Sequence, residues 1–196
     1  AIQVAKAASF PRENIERAIK KSSDKAMDSF EEIRYEGFGP AGTSIIVEAL
    51  TDNRNRSAAD VRAIFQKNGG SFAESGSVSH QFIRYGFLKY PSTISSQDDF
   101  FSSAIEAGAE DCLFEDDCFE ALCLPENLSI FYSSLETIFS EPESSGFLWK
   151  PSSLVEVTGE KVKTLFNLLD ELDDNEDVQS VFSNYDVSEE DISSLA

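Results

Sequence analysis

The side chains best placed for chemistry in this sequence are cations. Arg54, Arg56 and Arg62 fall within nine positions, and Lys67 follows five later. Guanidinium groups make paired hydrogen bonds to phosphate oxygens, so three arginines at this spacing suit the binding of a phosphate backbone. Arg54 and Arg56 stand in the polar run Thr51-Asp52-Asn53-Arg54-Asn55-Arg56. Arg62 stands one turn inside the helix expected after it. Ser57 and Asp60 form the S-x-x-D pattern of a capped helix start, and the free amides of such a start add to the preference for an anion. A structural reading stays open beside this one. Asp52, Asn53 and Asn55 would hold the turn, and the arginines would pair with carboxylates such as Glu36 or Glu48. Lys20, Lys21 and Lys25, on the basic side of an upstream helix, would extend a nucleic-acid surface if that helix folds against the same region.

Other chemistries find little support. Gly-x-Ser-x-Gly, a Walker loop and a zinc-type cysteine pattern are all missing from the sequence. Cys112, Cys118 and Cys123 are odd in number and read as free thiols in a reducing compartment. The single histidine, His80, falls in an expected strand and reads as a packed or partly exposed sheet residue. Glu115-Asp116-Asp117 and Asp173, Asp174, Glu176, Asp177 read as solvated acidic turns rather than magnesium sites. Gly37, Gly39 and Gly42 surround Pro40, but a strand rather than a helix follows them. That makes the segment a hairpin turn and not a nucleotide cradle. The expectation is a protein with no catalytic residue, no metal and no cofactor.

Charge divides the chain. Of 196 residues, positions 1–91 carry 13 basic and 11 acidic side chains, whereas 92–196 carry 3 and 25, giving −20 in all. A polyanion would be held by the first half and repelled by the second, which is fit instead to meet a basic protein. Hydrophobic residues make up 41% of the chain, enough for several small cores, with no run long enough to span a membrane.

The elements that would position these residues follow from periodicity. Thr43 to Leu50 is a β-branched apolar run, and Ala58, Val61, Ile64 and Phe65 repeat at helical spacing before Asn68-Gly69-Gly70. Val78, His80 and Phe82 alternate as a further strand. From Tyr85 to Val157 the order reads β-α-β-β-α-β. It has a helix capped at Ser96, an acidic hairpin turn at 115–117 and a helix opened by Pro125. This is the ferredoxin-like split arrangement. A helix carrying Val162, Leu165, Leu168, Leu169 and Leu172, and a last strand from Val178 to Tyr185, would either extend that domain or return to the first sheet and complete it. The return is favoured because it covers a sheet face otherwise half exposed. The tail from Val187 is expected to be loose.

The run Tyr35 to Gly42, the Thr51–Arg56 loop, Asn14 to Lys21, Leu148-Trp149-Lys150-Pro151-Ser152-Ser153 and Asp177 to Asn184 together resemble the YebC/PmpR family, over nearly the whole chain. The resemblance implies an α+β protein of three domains. Residues 1–29 would be the end of a helical domain, 30–84 with 158–196 a ferredoxin-like domain, and 85–157 a second, acidic ferredoxin-like domain inserted in the first. It also implies further basic sequence ahead of residue 1. In function it implies a non-enzymatic, monomeric gene-expression factor that associates with the ribosome or RNA and modulates translation, as in the mitochondrial branch. The alternative is a DNA-binding transcriptional regulator. The implied setting is cytoplasmic, alternatively the mitochondrial matrix. Two features depart from the family pattern, the acidity of the second half and Ala41 in place of a glycine.

Overall fold

The computed structural model describes residues 30–193. In chain order the elements are β1 (Glu31–Phe38), β2 (Ser44–Thr51), α1 (Arg54–Lys67), β3 (Ser71–Ala73), β4 (Phe82–Pro91), α2 (Gln97–Glu106), β5 (Asp111–Glu115), β6 (Cys118–Cys123), α3 (Leu128–Phe139), β7 (Ser144–Pro151), β8 (Val155–Glu156), α4 (Glu160–Asp173), β9 (Val178–Ser183), β10 (Tyr185–Asp186) and α5 (Glu189–Ser193). They form an α+β protein of two compact units. One is made from 30–83 and 149–193, the other from 84–148. The expected helix around Asn14–Lys21 lies outside the described residues.

In the first unit the sheet order is β3-β1-β2-β9, antiparallel throughout. The hairpin between β1 and β2 closes through a 3-10 turn over Pro40–Gly42, with Gly39 N–H bonded to the Thr43 carbonyl at 2.8 Å. Gly37 is needed for close approach, because a Cβ there would sit 2.5 Å from the Phe65 ring and 2.9 Å from the Ser71 carbonyl oxygen. One sheet face takes α1 and α4. Val61 and Phe65 from α1, and Val162, Leu165, Leu168 and Leu172 from α4, pack on Tyr35, Ile45, Val47, Ala49 and Val178. Among the described residues, no α-helix packs on the opposite face. Ile46 is covered there by Val78 and Phe82, with Phe38, Trp149 and Phe182 around them.

The connectivity corrects the expectation that this first unit, 30–84 with 158–196, is ferredoxin-like. Two helices do lie on one face of four antiparallel strands. However, the tight turn at Pro40–Gly42 makes the first two strands neighbours, whereas the split arrangement separates them with a helix. The domain boundary at 157/158 also moves. Residues 149–157 belong with the first unit. Trp149 donates to Glu48 at 2.8 Å, Ser152 N–H to the Gln81 carbonyl at 2.8 Å, and Val157 is buried in the α1–α4 core.

In the second unit the chain runs β4-α2-β5-β6-α3-β7 and the sheet order is β5-β6-β4-β7. This is the split arrangement. Phe100 and Ala104 of α2 and Phe131, Leu135 and Phe139 of α3 cover Leu88, Tyr90, Phe119, Ala121 and Cys123 of the sheet. Ser96 caps α2 by accepting from Asp99 N–H at 3.2 Å. Asp116 and Asp117 turn the β5–β6 hairpin with φ of 51° and 57°. Short acidic side chains tolerate that left-handed conformation better than most.

Three local expectations are overturned. Residues 79–81 form a 3-10 turn rather than a strand, and His80 is exposed on it. The final strand stops at Ser183. Tyr185–Asp186 is a separate two-residue bridge, parallel to β8. The tail is not wholly loose, because Ser188 Oγ accepts from Asp191 N–H at 3.2 Å at the start of α5.

Candidate nucleic-acid interface

The loop between β2 and α1 is built by side-chain oxygens. Thr51 Oγ1 accepts the Asn53 N–H at 3.0 Å, and Asn53 Oδ1 accepts the Arg56 N–H at 3.1 Å. Asn53 is therefore the helix cap and α1 begins at Arg54. The expected cap, Ser57, lies a full turn inside. It is wholly buried, and its hydroxyl has no partner among the described residues. An Asx cap satisfies the first amides as well as a serine does. Asn53 also had the Thr51 hydroxyl to fix its own backbone.

A second segment closes on this loop from far along the chain. Leu50 N–H bonds the Asp177 carbonyl at 2.8 Å, and Thr51 Oγ1 donates to Asp177 Oδ2 at 3.0 Å. Arg56 Nη2 lies 3.0 Å from both Asp177 carboxylate oxygens and 3.0 Å from Asp52 Oδ1. Hence Arg56 is engaged as a clamp between the start of α1 and the segment that leads from α4 into β9. Lys67 does the same at the other end of α1. Its Nζ bonds Glu171 at 2.7 Å while Asn68 Nδ2 holds the other carboxylate oxygen at 3.1 Å. The Lys67 bond, and then that of Asn68, hold the Glu171 carboxyl below its usual range.

Arg54 and Arg62 are placed differently. Arg54 is exposed, and its side chain makes no ion pair among the described residues. Its carbonyl takes the Tyr35 hydroxyl at 3.4 Å. Arg62 is exposed with its guanidinium 4.9 Å over the Phe72 ring, which leaves its N–H edges open. Eight residues of helix separate the two, about 12 Å along the axis. The structure thus brings Arg54, Arg56, Arg62 and Lys67 onto one helix and holds two of the four in ion pairs. Lys20, Lys21 and Lys25 lie outside the described residues. Lys161 and Lys163 were not foreseen as candidates. They are exposed on the first turns of α4, the end away from Asp177, and so do not adjoin Arg54.

The carboxylates proposed as partners for these arginines have other work. Glu36 is 1% exposed and accepts the amides of Gly76, Val78 and Ser79 at 3.0, 2.7 and 3.0 Å, with Arg34 Nε at 3.4 Å. Glu48 accepts the Trp149 indole N–H, and Arg34 stacks 5.0 Å from the same indole ring. Asn184 is wholly buried. It accepts the Ser44 N–H at 2.7 Å and donates to the Ser153 carbonyl at 3.3 Å. Among the described residues, no group of three or more His, Cys, Asp or Glu is arranged to hold a metal ion.

Two antiparallel sheets, one backed by helices on one face and closed by a loop and a tryptophan on the other, define an α+β protein with four cations along α1. A family profile described as "TACO1/YebC second and third domain" matches residues 30–185, and the chain belongs to that family. Over its whole length it is 45% identical to a "probable transcriptional regulatory protein" of Maricaulis maris (strain MCS10), spanning 79% of that protein. The crystal structure of the conserved hypothetical protein Aq1575 from Aquifex aeolicus is similar with a TM-score of 0.81 and 38% identity. That likeness covers 96% of this chain and 78% of the other.

Proposed function

We propose that the protein is a non-catalytic transcriptional regulator that contacts DNA phosphates through α1. The observation that carries this reading is the pair Arg54 and Arg62, exposed on one helix and, among the described residues, free of carboxylates while Arg56 and Lys67 are not. The similar Maricaulis maris protein, named as a probable transcriptional regulatory protein, supports the same reading. Phosphate contacts fix position without reading sequence. Sequence selection then has to come from residues other than these two. A second reading, association with the ribosome, is favoured by the charge division. A ribosome offers RNA phosphates to α1 and basic proteins to the acidic residues 92–148.

The test compares the parent with Arg54→Ala/Arg62→Ala on a genomic DNA pool and on purified ribosomes, across a salt series centred near 0.15 M. Removing one cation from a phosphate should lower the slope of log affinity against log salt by about 0.9. The double variant should therefore bind DNA more weakly and with a slope shallower by about 2. Equal binding by parent and variant would make α1 irrelevant. Binding of ribosomes with no retention of DNA would replace the transcriptional reading by the translational one.

A further inference from the structure

Residues 92–148 hold thirteen Asp and Glu and no Lys or Arg. Against that background α3 is unusual, because its twelve residues include one charge, Glu136. Phe131, Leu135 and Phe139 face the core. The outward side of a helix at a protein surface ordinarily carries charged and polar groups. Here it carries Ile130, 72% exposed, and Ile138, 56% exposed. Between them the hydroxyls of Ser133, Ser134 and Thr137 turn back to donate to the carbonyls of Ser129, Ile130 and Ser133 at 3.1, 3.0 and 2.8 Å. Bonded within the helix, they present carbon rather than free hydroxyls to the outside. The neighbouring α2 adds Ile105, 65% exposed.

We propose that the outer face of α3, with Ile105 in the same helical layer, docks a protein helix whose apolar stripe is flanked by Lys and Arg. The isoleucines supply the dry centre that a helix-in-groove contact needs. The rim is of one sign only, with Glu126 before α3, Glu136 on it, Glu141 after it and Glu106 on α2. Residues 84–148 contain just Arg84 and Lys89 against those thirteen acids, a net −11. That field steers in a basic partner and repels both nucleic acid and a second copy of the same face.

The probe is a synthetic amphipathic peptide with leucines at i, i+3, i+4 and i+7 and lysines elsewhere. Its controls have glutamate for lysine or glutamine for leucine. Binding to the whole chain is followed by fluorescence anisotropy and by amide chemical shifts. The parent should bind the Leu/Lys peptide and neither control, with shifts concentrated on residues 128–139. Ile130→Ser/Ile138→Ser should weaken binding by about tenfold or more at an unchanged thermal midpoint. Leu154→Ser, removing a leucine 61% exposed in the other unit, should bind like the parent. Equal binding by the isoleucine variant, or equal binding of the glutamine peptide, would reduce the effect to charge attraction and overturn the proposal. So would shifts centred away from α3 in the parent, or absence of binding. Self-association that disappears in the isoleucine variant would overturn it in favour of a second copy.

Discussion

Replacing Glu36 should destabilise the first unit by about 2–3 kcal/mol for glutamine and about 3–5 kcal/mol for alanine. The carboxylate is the point on which residues 74–82 close over the sheet face opposite α1 and α4. Its two oxygens accept the amides of Gly76, Val78 and Ser79, and the loop so held brings Val78 and Phe82 onto Ile46. Alanine leaves all three amides without an acceptor. The Val78 amide belongs to a wholly buried residue and would bear a full desolvation cost, about 1–3 kcal/mol, while the other two regain water in part at about 1 kcal/mol each. Glutamine keeps one oxygen. The bonds to Val78 and Ser79 then survive as neutral ones, about 1 kcal/mol weaker each, and the new NH2 group faces the Gly76 N–H, donor against donor.

The pH dependence follows from the same contacts. Burial by itself would push the Glu36 carboxyl up, but the amides of Val78, Gly76 and Ser79 together with Arg34 outweigh it and hold the group below its ordinary range. A carboxyl lowered on folding binds its proton more readily in the unfolded chain. Its stabilisation is thus complete above the unfolded value, about 4.3, and is lost as pH falls through the lower folded value. Glutamine does not titrate, so the gap between parent and Glu36→Gln should narrow below about pH 4. Trp149 is the one tryptophan and lies on the same sheet face, so its fluorescence during urea unfolding reports this unit. Equal midpoints at neutral pH, or a gap that stays constant down to about pH 3, would refute the account of the loop closure.

Two further outcomes test local conformation and thiol environment. Ala41 has φ of 62° in an exposed turn, where an L side chain costs about 1–2 kcal/mol and glycine does not, so Ala41→Gly should raise stability by about 0.5–1 kcal/mol after the entropy of the freer unfolded chain. A lowered urea midpoint would contradict this. Cys123 is buried, and that burial, with Glu110 and Glu126 nearby, pushes its thiol up to about 11. Iodoacetamide at about pH 8 should therefore leave Cys123 intact while Cys118, partly exposed, is alkylated, as read by peptide mass spectrometry.

Much of the fold was legible because it rests on periodicity. The 3.6-residue spacing of Val162, Leu165, Leu168 and Leu172 marked the buried face of α4, and Ser96 ahead of Asp98-Asp99 marked the start of α2. What failed had no periodic signature. Ser57 satisfied a capping template, yet Asn53, with Thr51 beside it, offered a cap one turn earlier. The stretch around His80 alternates like a strand. Glu36 drew its amides into a turn instead, which only a residue more than forty positions upstream could specify. The candidate site was legible as a set of arginines but not as a division of roles. Arg56 meets Asp177 across 121 positions and Lys67 meets Glu171 across 104, and no local pattern tells a clamped cation from an open one.

That division also says what the family resemblance can transmit. The residues that carry it most strongly are architectural in the structure. Gly37 admits the Phe65 ring, Pro40 sits buried in the β1–β2 turn, Trp149 bonds Glu48, and Asn184 ties Ser44 to Ser153. Even within the Thr51–Arg56 loop, Asp52, Asn53 and Arg56 hold the start of α1, while Arg54 is exposed and without an ion pair among the described residues. Sharing these motifs fixes a scaffold, since each one is needed to close a sheet face or start a helix. Target choice must then lie in side chains the scaffold does not consume. Among the described residues, Arg54 and Arg62 on one unit and the outer face of α3 on the other are side chains of that kind. Two relatives can therefore keep every motif and still differ in what they bind.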